Sequence, residues 1–190
     1  MYLIKTEFVK LRRCNILWVG IITLLCAPLL SILQQQSLND PVDNYGYVNL
    51  VNGTIWNNMS FFLPVTLMLL GGYMISREYT DDTLKEIFII PLSYSKLMAG
   101  KIGALLILSV FYSFYSFVLT TGLSILFYPI GLTGIAIIKA LLQICGMGLC
   151  ICISIMPFIC WSGSAKNRFW VGTVLVFVYG ILGIPLAGHG

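Results

Sequence analysis

Charged residues are scarce in this chain of 190 residues: lysine, arginine, aspartate and glutamate make up 9% of it, whereas 58% is hydrophobic. Soluble domains carry roughly 25% charged residues, so this composition argues against a water-soluble globular fold. The mean hydropathy of +0.93 points the same way. We therefore predict a membrane protein, in which each helical span needs about 20 apolar residues to cross the hydrocarbon layer.

Acidic residues and histidine are missing from five apolar blocks, which are predicted to be transmembrane helices. The blocks are residues 15–33, 59–75, 102–127, 135–161 and 169–187. Pro129, Gly131 and Gly134 separate the third block from the fourth and are expected to turn the chain at a membrane face. The predicted fold class is an all-α membrane protein with five transmembrane helices, forming one domain over residues 1–190.

The lack of carboxylates and histidine in these blocks argues against an intramembrane enzyme or a proton-coupled transporter, because such proteins place ionisable groups within the bilayer. Lys139 and His189 are the candidates that remain, and a snorkelling or solvated side chain is the simpler interpretation of each. A P-loop is also missing, since Ser95 and Ile102 replace its first glycine and its magnesium-binding hydroxyl. We predict no catalytic, cofactor-binding or metal-binding residue on this chain.

Disulfides and zinc sites are not expected from the six cysteines. Cys14 is placed at a membrane edge, and the other five fall in predicted spans, where an oxidising lumen and a polar ligand shell are missing. Cys150 and Cys152 are two positions apart, a spacing unlike that of a zinc knuckle or a thioredoxin motif. We interpret the cysteines as small apolar packing residues.

Basic residues are almost absent from one side of the predicted membrane. Ten of the eleven lysines and arginines lie in residues 1–14, 76–101 and 162–168, and Lys139 alone lies on the opposite side. Because basic loops resist translocation, the N-terminus is predicted to be cytoplasmic and the 34–59 loop to be outside. The net charge of +4 then reflects topology and contact with anionic lipid rather than nucleic-acid binding.

Residues 76–101 concentrate charge between the second and third spans, with four of the seven acidic and four of the eleven basic residues. A short helix is predicted from Thr80, whose hydroxyl can cap it, to Pro91, which stops it. Its apolar stripe consists of Leu84, Ile87 and Phe88. Lipid or a docked protein could cover this stripe, and Asp81 and Asp82 weigh against anionic lipid.

The N-terminal residues 1–14 show a similar amphipathic pattern ahead of the first span. Ile4, Phe8 and Leu11 share one stripe, and Glu7 lies among the polar residues beside it. We predict a lead-in helix that lies along the membrane. A basic flank that only fixes the topology is the alternative.

A row of hydroxyl groups follows one face of the third block. The row consists of Ser109, Ser113, Ser116 and Thr120, spaced three or four residues apart. We predict that these hydroxyls bond to the backbone or to neighbouring helices. The alternative is an aromatic strip that faces a transported cargo, formed by the neighbouring Phe111, Tyr112, Phe114, Tyr115 and Phe117.

This layout resembles the membrane subunit of type-2 ABC exporters and is most similar to the small bacterial permeases of antibiotic and lantibiotic self-protection. The resemblance covers the whole chain and is specific mainly across residues 76–101, through Arg77-Glu78, Thr83, Pro91-Leu92-Ser93 and Lys101. It implies an elbow helix over residues 1–14, with Ile4, Glu7, Phe8 and Leu11. It also implies a coupling helix that docks on a soluble ATPase, with Lys101 anchoring the next helix. The implied docking residues are Glu78, Thr80, Asp82, Thr83, Leu84, Ile87, Phe88 and Pro91.

The resemblance further implies the partners and the energy source. Two ATPase copies would bind ATP and magnesium, and a second permease chain, identical or related, would complete the pathway in a bacterial plasma membrane. The cargo would be amphipathic or hydrophobic: a peptide antibiotic, a bacteriocin or a lipid-like molecule. In this family the second and fifth spans approach the dimer axis, although helix packing also explains their small or bending residues. Those residues are Pro64, Gly71, Gly72, Gly172, Gly180 and Gly183.

Two features depart from the family pattern. Asp82-Thr83 stands where Gly-Thr is common, and five predicted spans stand where six are common, so that a sixth helix is expected to be absent or removed. A nontransporting membrane anchor or sensor subunit is therefore the alternative to an exporter. An intramembrane enzyme would require activity that depends on His189 or Lys139.

Overall fold

The computed structural model describes residues 16–37, 46–80, 94–128, 130–163 and 169–187. Every regular element in these ranges is helical, which confirms the predicted all-α class. The helices are α1 (Ile16–Ser37), α2 (Tyr47–Asn57), α3 (Leu63–Thr80), α4 (Tyr94–Phe127), α5 (Gly134–Gly163) and α6 (Phe169–Ala187). A π-helical turn, Asn58–Phe62, joins α2 to α3, so that these two helices form one continuous element.

Long apolar stretches in these helices could cross a membrane. The four longest within the described residues are Leu17–Gln34, Tyr47–Ser76, Met98–Phe127 and Gly134–Trp161. Helix α6 adds a shorter apolar stretch, Val171–Ile181. The helices therefore agree with the five predicted spans, and the chain is a multi-pass membrane protein.

The second span begins well before the position that hydropathy predicts. The sequence assigns residues 34–59 to an external loop, but α2 already begins at Tyr47. Asn57 and Asn58 lower the hydropathy of this stretch, yet both are buried and donate hydrogen bonds to neighbouring helices. A hydropathy scale includes the polarity of these side chains but not their hydrogen-bond partners. The predicted span is therefore shorter than the observed one.

The main apolar core lies between five of the helices. Representative buried residues are Leu24 of α1, Leu67 of α3, Leu105 of α4 and Ile155 of α5, and Val176 of α6 joins the same cluster. Large apolar side chains also cover the outside of the bundle, where a soluble protein would carry charge. Hydrocarbon is the solvent that such a surface fits.

The turn between α4 and α5 lies where the sequence predicts it. Helix α4 ends at Phe127 and α5 begins at Gly134, and Gly131 between them has a φ of +83°. This left-handed conformation is easily adopted by glycine alone. The backbone N–H of Tyr47 donates to the Ile130 carbonyl at 2.9 Å, so the turn is joined to the start of α2.

Candidate functional site

Most of the predicted elbow and docking residues lie outside the described part of the chain. They are Ile4, Glu7, Phe8, Leu11, Asp82, Thr83, Leu84, Ile87, Phe88 and Pro91. Glu78 and Thr80 belong to α3, of which the structure describes the backbone at these positions. The described part of the candidate site is therefore the pair of helix ends on either side of residues 81–93.

Lys101 joins these two helix ends. It lies on α4 with 2% of its surface exposed, and its Nζ donates a hydrogen bond of 2.8 Å to the Met74 carbonyl of α3. Both residues lie within about two helical turns of the 81–93 segment. A buried ammonium group loses its hydration and so needs strong acceptors, and bonds from charged donors are stronger than neutral ones. The anchoring role of Lys101 stays a prediction, and the Met74 acceptor is a backbone carbonyl that could not be identified from the sequence.

A π-helical turn interrupts the second span between α2 and α3. Within it, the Leu63 N–H donates to the Asn58 carbonyl, five residues back instead of four. Pro64 follows at once and, lacking an N–H, cannot donate to the Ser60 carbonyl four residues before it. The regular α-helical hydrogen-bond pattern of this span is therefore interrupted at the π turn and Pro64. Such turns are rare and frequently coincide with functional sites.

The Ser60 carbonyl faces α6 at Gly180. A Cβ atom placed on Gly180 would overlap that oxygen and would lie 3.6 Å from Cδ1 of Phe61. The rings of Phe61 and Phe177 also pack here, with 5.9 Å between their centroids. Glycine therefore allows the backbone of α6 to contact the backbone of the π turn, as small residues do between membrane helices.

Other predicted small or bending residues also lie within the bundle. A Cβ atom on Gly71 would lie 2.7 Å from Cδ1 of Ile159 on α5, so Gly71 permits a close helix contact. Pro64, Gly72 and Gly172 are buried. Gly183 belongs to α6, and its surroundings lie outside the description. Helix packing within one chain explains Gly71 and Gly180, while a role at a dimer axis stays a prediction.

The asparagine pair at the start of the π turn contacts helices on two sides. The amide of Asn57 donates to the Ala27 carbonyl at 3.3 Å and to Ser31 Oγ at 3.1 Å, both on α1. The amide of Asn58 donates to Ser116 Oγ on α4 at 2.7 Å. The end of α2 and the start of the π turn are thereby attached to α1 and α4. Sequence reasoning missed this pair because it placed residues 34–59 in a loop.

The predicted hydroxyl row of α4 faces the interior of the bundle. Its four side chains are fully buried. Ser109 Oγ donates to the Gly148 carbonyl at 2.7 Å, and Thr120 Oγ1 donates to the Ser116 carbonyl at 2.8 Å. These bonds, with that from Asn58 to Ser116, agree with the predicted structural role for three of the four hydroxyls. Ser113 Oγ is buried without a hydrogen-bond partner among the described residues.

Two backbone features stand out among the described residues, a bond between helix ends and a π turn. Within these residues, no three His, Cys, Asp or Glu side chains lie together as a metal site, and the described cysteines form no disulfide. A bond links the helix ends at residues 81–93, and a π turn weakens the second span farther along.

No curated protein and no solved structure is significantly similar to the chain. The family model for ABC-2 family transporter proteins, however, matches residues 3–183, which is nearly the whole chain. Membrane proteins of this family work with ATPase partners. The chain therefore belongs to the ABC-2 transporter family, and it is a membrane permease component of an ABC transporter.

Proposed function

We propose that this permease is the membrane subunit of an ATP-driven exporter that moves an amphipathic or hydrophobic cargo out of the membrane or the cell. The observation that carries the proposal is the bond between Lys101 and Met74. It holds α3 and α4 together beside residues 80–91, over which the resemblance implies the coupling helix. A force applied to that segment by an ATPase therefore reaches both helices at once.

The π turn is the part of the second span where α3 can bend relative to α2. Asn57 and Asn58 attach the second span to α1 and α4 where α2 meets the π turn. Lys101 attaches α3 to α4 near residues 81–93. Motion of α3 relative to α2 is easiest at Asn58–Phe62, where the regular hydrogen-bond pattern is already broken. ATP-driven movement at one end would thus open or close helix contacts near the middle of the bundle.

The charges described in the bundle support the proposed class of cargo. Among the side chains that the structure describes, Lys101 and Lys139 are the charged ones, and Lys101 is buried in the contact with Met74. A hydrophilic ion would need compensating groups along its pathway. An apolar bundle better suits a peptide antibiotic, a bacteriocin or a lipid-like molecule that is already dissolved in the membrane.

The partners follow from the same assignment. Two soluble ATPase copies would supply ATP and magnesium, and a second permease chain, identical or related, would complete the pathway. The N-terminus and residues 81–93 would face the cytoplasm of a bacterial cell. A nontransporting anchor or sensor subunit remains the second candidate, because it would require the same ATPase contact without a moving pathway.

The exporter proposal is tested by extracting the complex gently from its host and identifying the attached chains. Phe88→Asp should abolish co-purification of the ATPase while leaving membrane insertion intact, because it places a carboxylate in the apolar docking stripe. Ile89→Asp is the matched control, since it lies on the opposite face of the same predicted helix and should retain the ATPase.

Two outcomes would count against the proposal. Undiminished ATPase binding by Phe88→Asp would show that residues 80–91 are not the docking element. A complex that assembles normally, but whose ATP hydrolysis no amphipathic peptide or lipid stimulates, would favour the anchor or sensor role.

A further inference from the structure

A groove follows the outer surface of the bundle between α2 and α5. It has two adjoining parts, of about 290 and 490 Å³, and Asn52 and Gln143 line both of them. Lys139 lines the part nearer the turn between α4 and α5, whereas Met59, Met147 and Ile151 line the other part. The groove opens sideways, toward the surface that hydrocarbon would cover.

The groove changes from cationic to polar to apolar along its length. Lys139, Gln143, Met147 and Ile151 follow one another on α5 at four-residue intervals, which is about 6 Å per step. Asn52 faces Gln143 across the groove, and Met59 lies deeper on the same wall. The order of cation, amide and apolar side chain matches the order of phosphate, ester and acyl chain in a phospholipid.

Three polar residues of the groove lack side-chain partners inside the described part of the chain, whereas Tyr47 and Ser154 bond to Thr121 and to the Cys150 carbonyl. Lys139, Asn52 and Gln143 are exposed side chains, and the described residues offer no carboxylate to Lys139 and no side-chain hydrogen bond to the two amides. Donors left unpaired at membrane depth are costly. An external molecule with acceptor oxygens would therefore be stabilised here.

We propose that this groove binds an anionic phospholipid drawn sideways from the bilayer. Its phosphate lies beside Lys139, its ester oxygens accept hydrogen bonds from Asn52 and Gln143, and one acyl chain follows Met59, Met147 and Ile151. The groove continues from Gln143 to Ser154, about 16 Å along α5, which matches the roughly 15 Å of hydrocarbon in one leaflet. Flexible methionine side chains suit a chain of variable shape. The proposal does not depend on the exporter assignment.

Photolabelling of the full chain, with its co-purifying subunits, in phosphatidylcholine nanodiscs tests this binding. The probe is phosphatidylglycerol with a diazirine in its acyl chain. Labelling should concentrate at Met147 and Ile151 relative to Leu142 and Ile153, which are 68% and 64% exposed on the same helix but lie outside the groove. A phosphatidylcholine probe with the same acyl chain should show a preference for the groove about fivefold weaker, the effect of roughly one lysine near an anionic group.

Three variants separate groove binding from general attraction to the surface. Lys139→Gln should lower the preference for phosphatidylglycerol about fivefold. Exchange of neighbours, Ile138→Lys with Lys139→Ile, keeps the charge and nearly the same depth but moves the cation out of the groove, so it should cause the same loss. Met147→Trp should reduce labelling at Ile151 by filling the groove while Lys139 is retained.

The proposal is overturned by any of three results. Full lipid preference in the exchange variant would mean that surface charge alone attracts the probe. Even labelling of Met147, Ile151, Leu142 and Ile153 would mean that no site exists. Transfer of the label from the groove to another protein chain would mean that protein, not lipid, covers it.

Discussion

Gly180 and Gly146 are both glycines in membrane helices, but their surroundings differ. A Cβ atom on Gly180 would overlap the Ser60 carbonyl, which is backbone and cannot rotate away, whereas nothing lies within 4 Å of the equivalent atom on Gly146. We expect Gly180→Ala to lower the free energy of unfolding by about 1–3 kcal/mol. Gly146→Ala should leave it unchanged or raise it slightly, because alanine is the better helix former. Thermal unfolding in detergent measures both, and equal midpoints would contradict the packing described here.

The sequence could identify these glycines as small residues but could not show which of them lie in close helix contacts. Gly71, Gly146 and Gly180 all lie in apolar blocks, and their difference depends on which neighbour each helix face meets. The same holds for Lys101, whose acceptor is a carbonyl oxygen that every residue possesses. Partners of this kind are set by the packing of helices and leave no trace in residue type.

Helices α3 and α4 form a pair that the Lys101 bond holds together, and this makes the bond testable. Lys101→Met keeps an apolar stem of similar volume and removes the buried ammonium group, so the fold and the ATPase contact should persist. Cargo-stimulated ATP hydrolysis should fall about tenfold, if roughly 1.5 kcal/mol of charge-assisted bonding is what holds the pair together. The measurement compares basal with stimulated ATP turnover in reconstituted complexes.

A conservative substitution provides the control for this pair of helices. Lys101→Arg retains a charged donor and should recover part of the stimulation, even though the guanidinium group is bulkier. Normal stimulation in Lys101→Met would show that the two helices move together without this bond. Loss of assembly in both variants would instead indicate that the lysine is needed for folding.

Hydropathy locates most of the helices because their outward faces contact lipid and carry no charge. Helices α1, α4, α5 and α6 overlap their predicted blocks closely. The second span is the exception, since its first turns contain asparagines that are satisfied inside the bundle. The π turn was also unpredictable, because hydropathy carries no information on which carbonyl a given N–H will meet.

Successive membrane helices run in opposite directions between the two ends of the bundle. This arrangement predicts which segments lie on each side of the membrane. The bond from Tyr47 to Ile130 brings the start of α2 to the turn between α4 and α5, while the bond from Lys101 to Met74 lies near the other end. The sequence segments that adjoin the helices at this second end carry ten of the eleven basic residues, so we expect this end to be cytoplasmic. In a cysteine-free background, Asp43→Cys should react with a membrane-impermeant maleimide in intact cells.

A cysteine at the opposite end completes this experiment. Lys166→Cys should react only after the cells are permeabilised, because residues 162–168 belong to the predicted cytoplasmic side. The reverse pattern of labelling would invert the molecule and remove the 81–93 segment from any cytoplasmic ATPase. Labelling of both positions in intact cells would indicate leaky cells rather than either topology.

The π turn between α2 and α3 also affects how the length of this span can change. An α-helix rotates by about 100° per residue, so loss of one residue from a regular stretch would turn one half of a span away from its neighbours. At Asn58–Phe62 the chain already holds one residue more than a regular turn requires. Loss of one residue there would restore α-helical spacing while Asn57 still faced α1 and Leu67 still faced the core. In relatives whose second span is one residue shorter, we therefore expect the missing residue to be at this turn. The helix of such relatives should be stiffer, because its hydrogen-bond pattern would be regular.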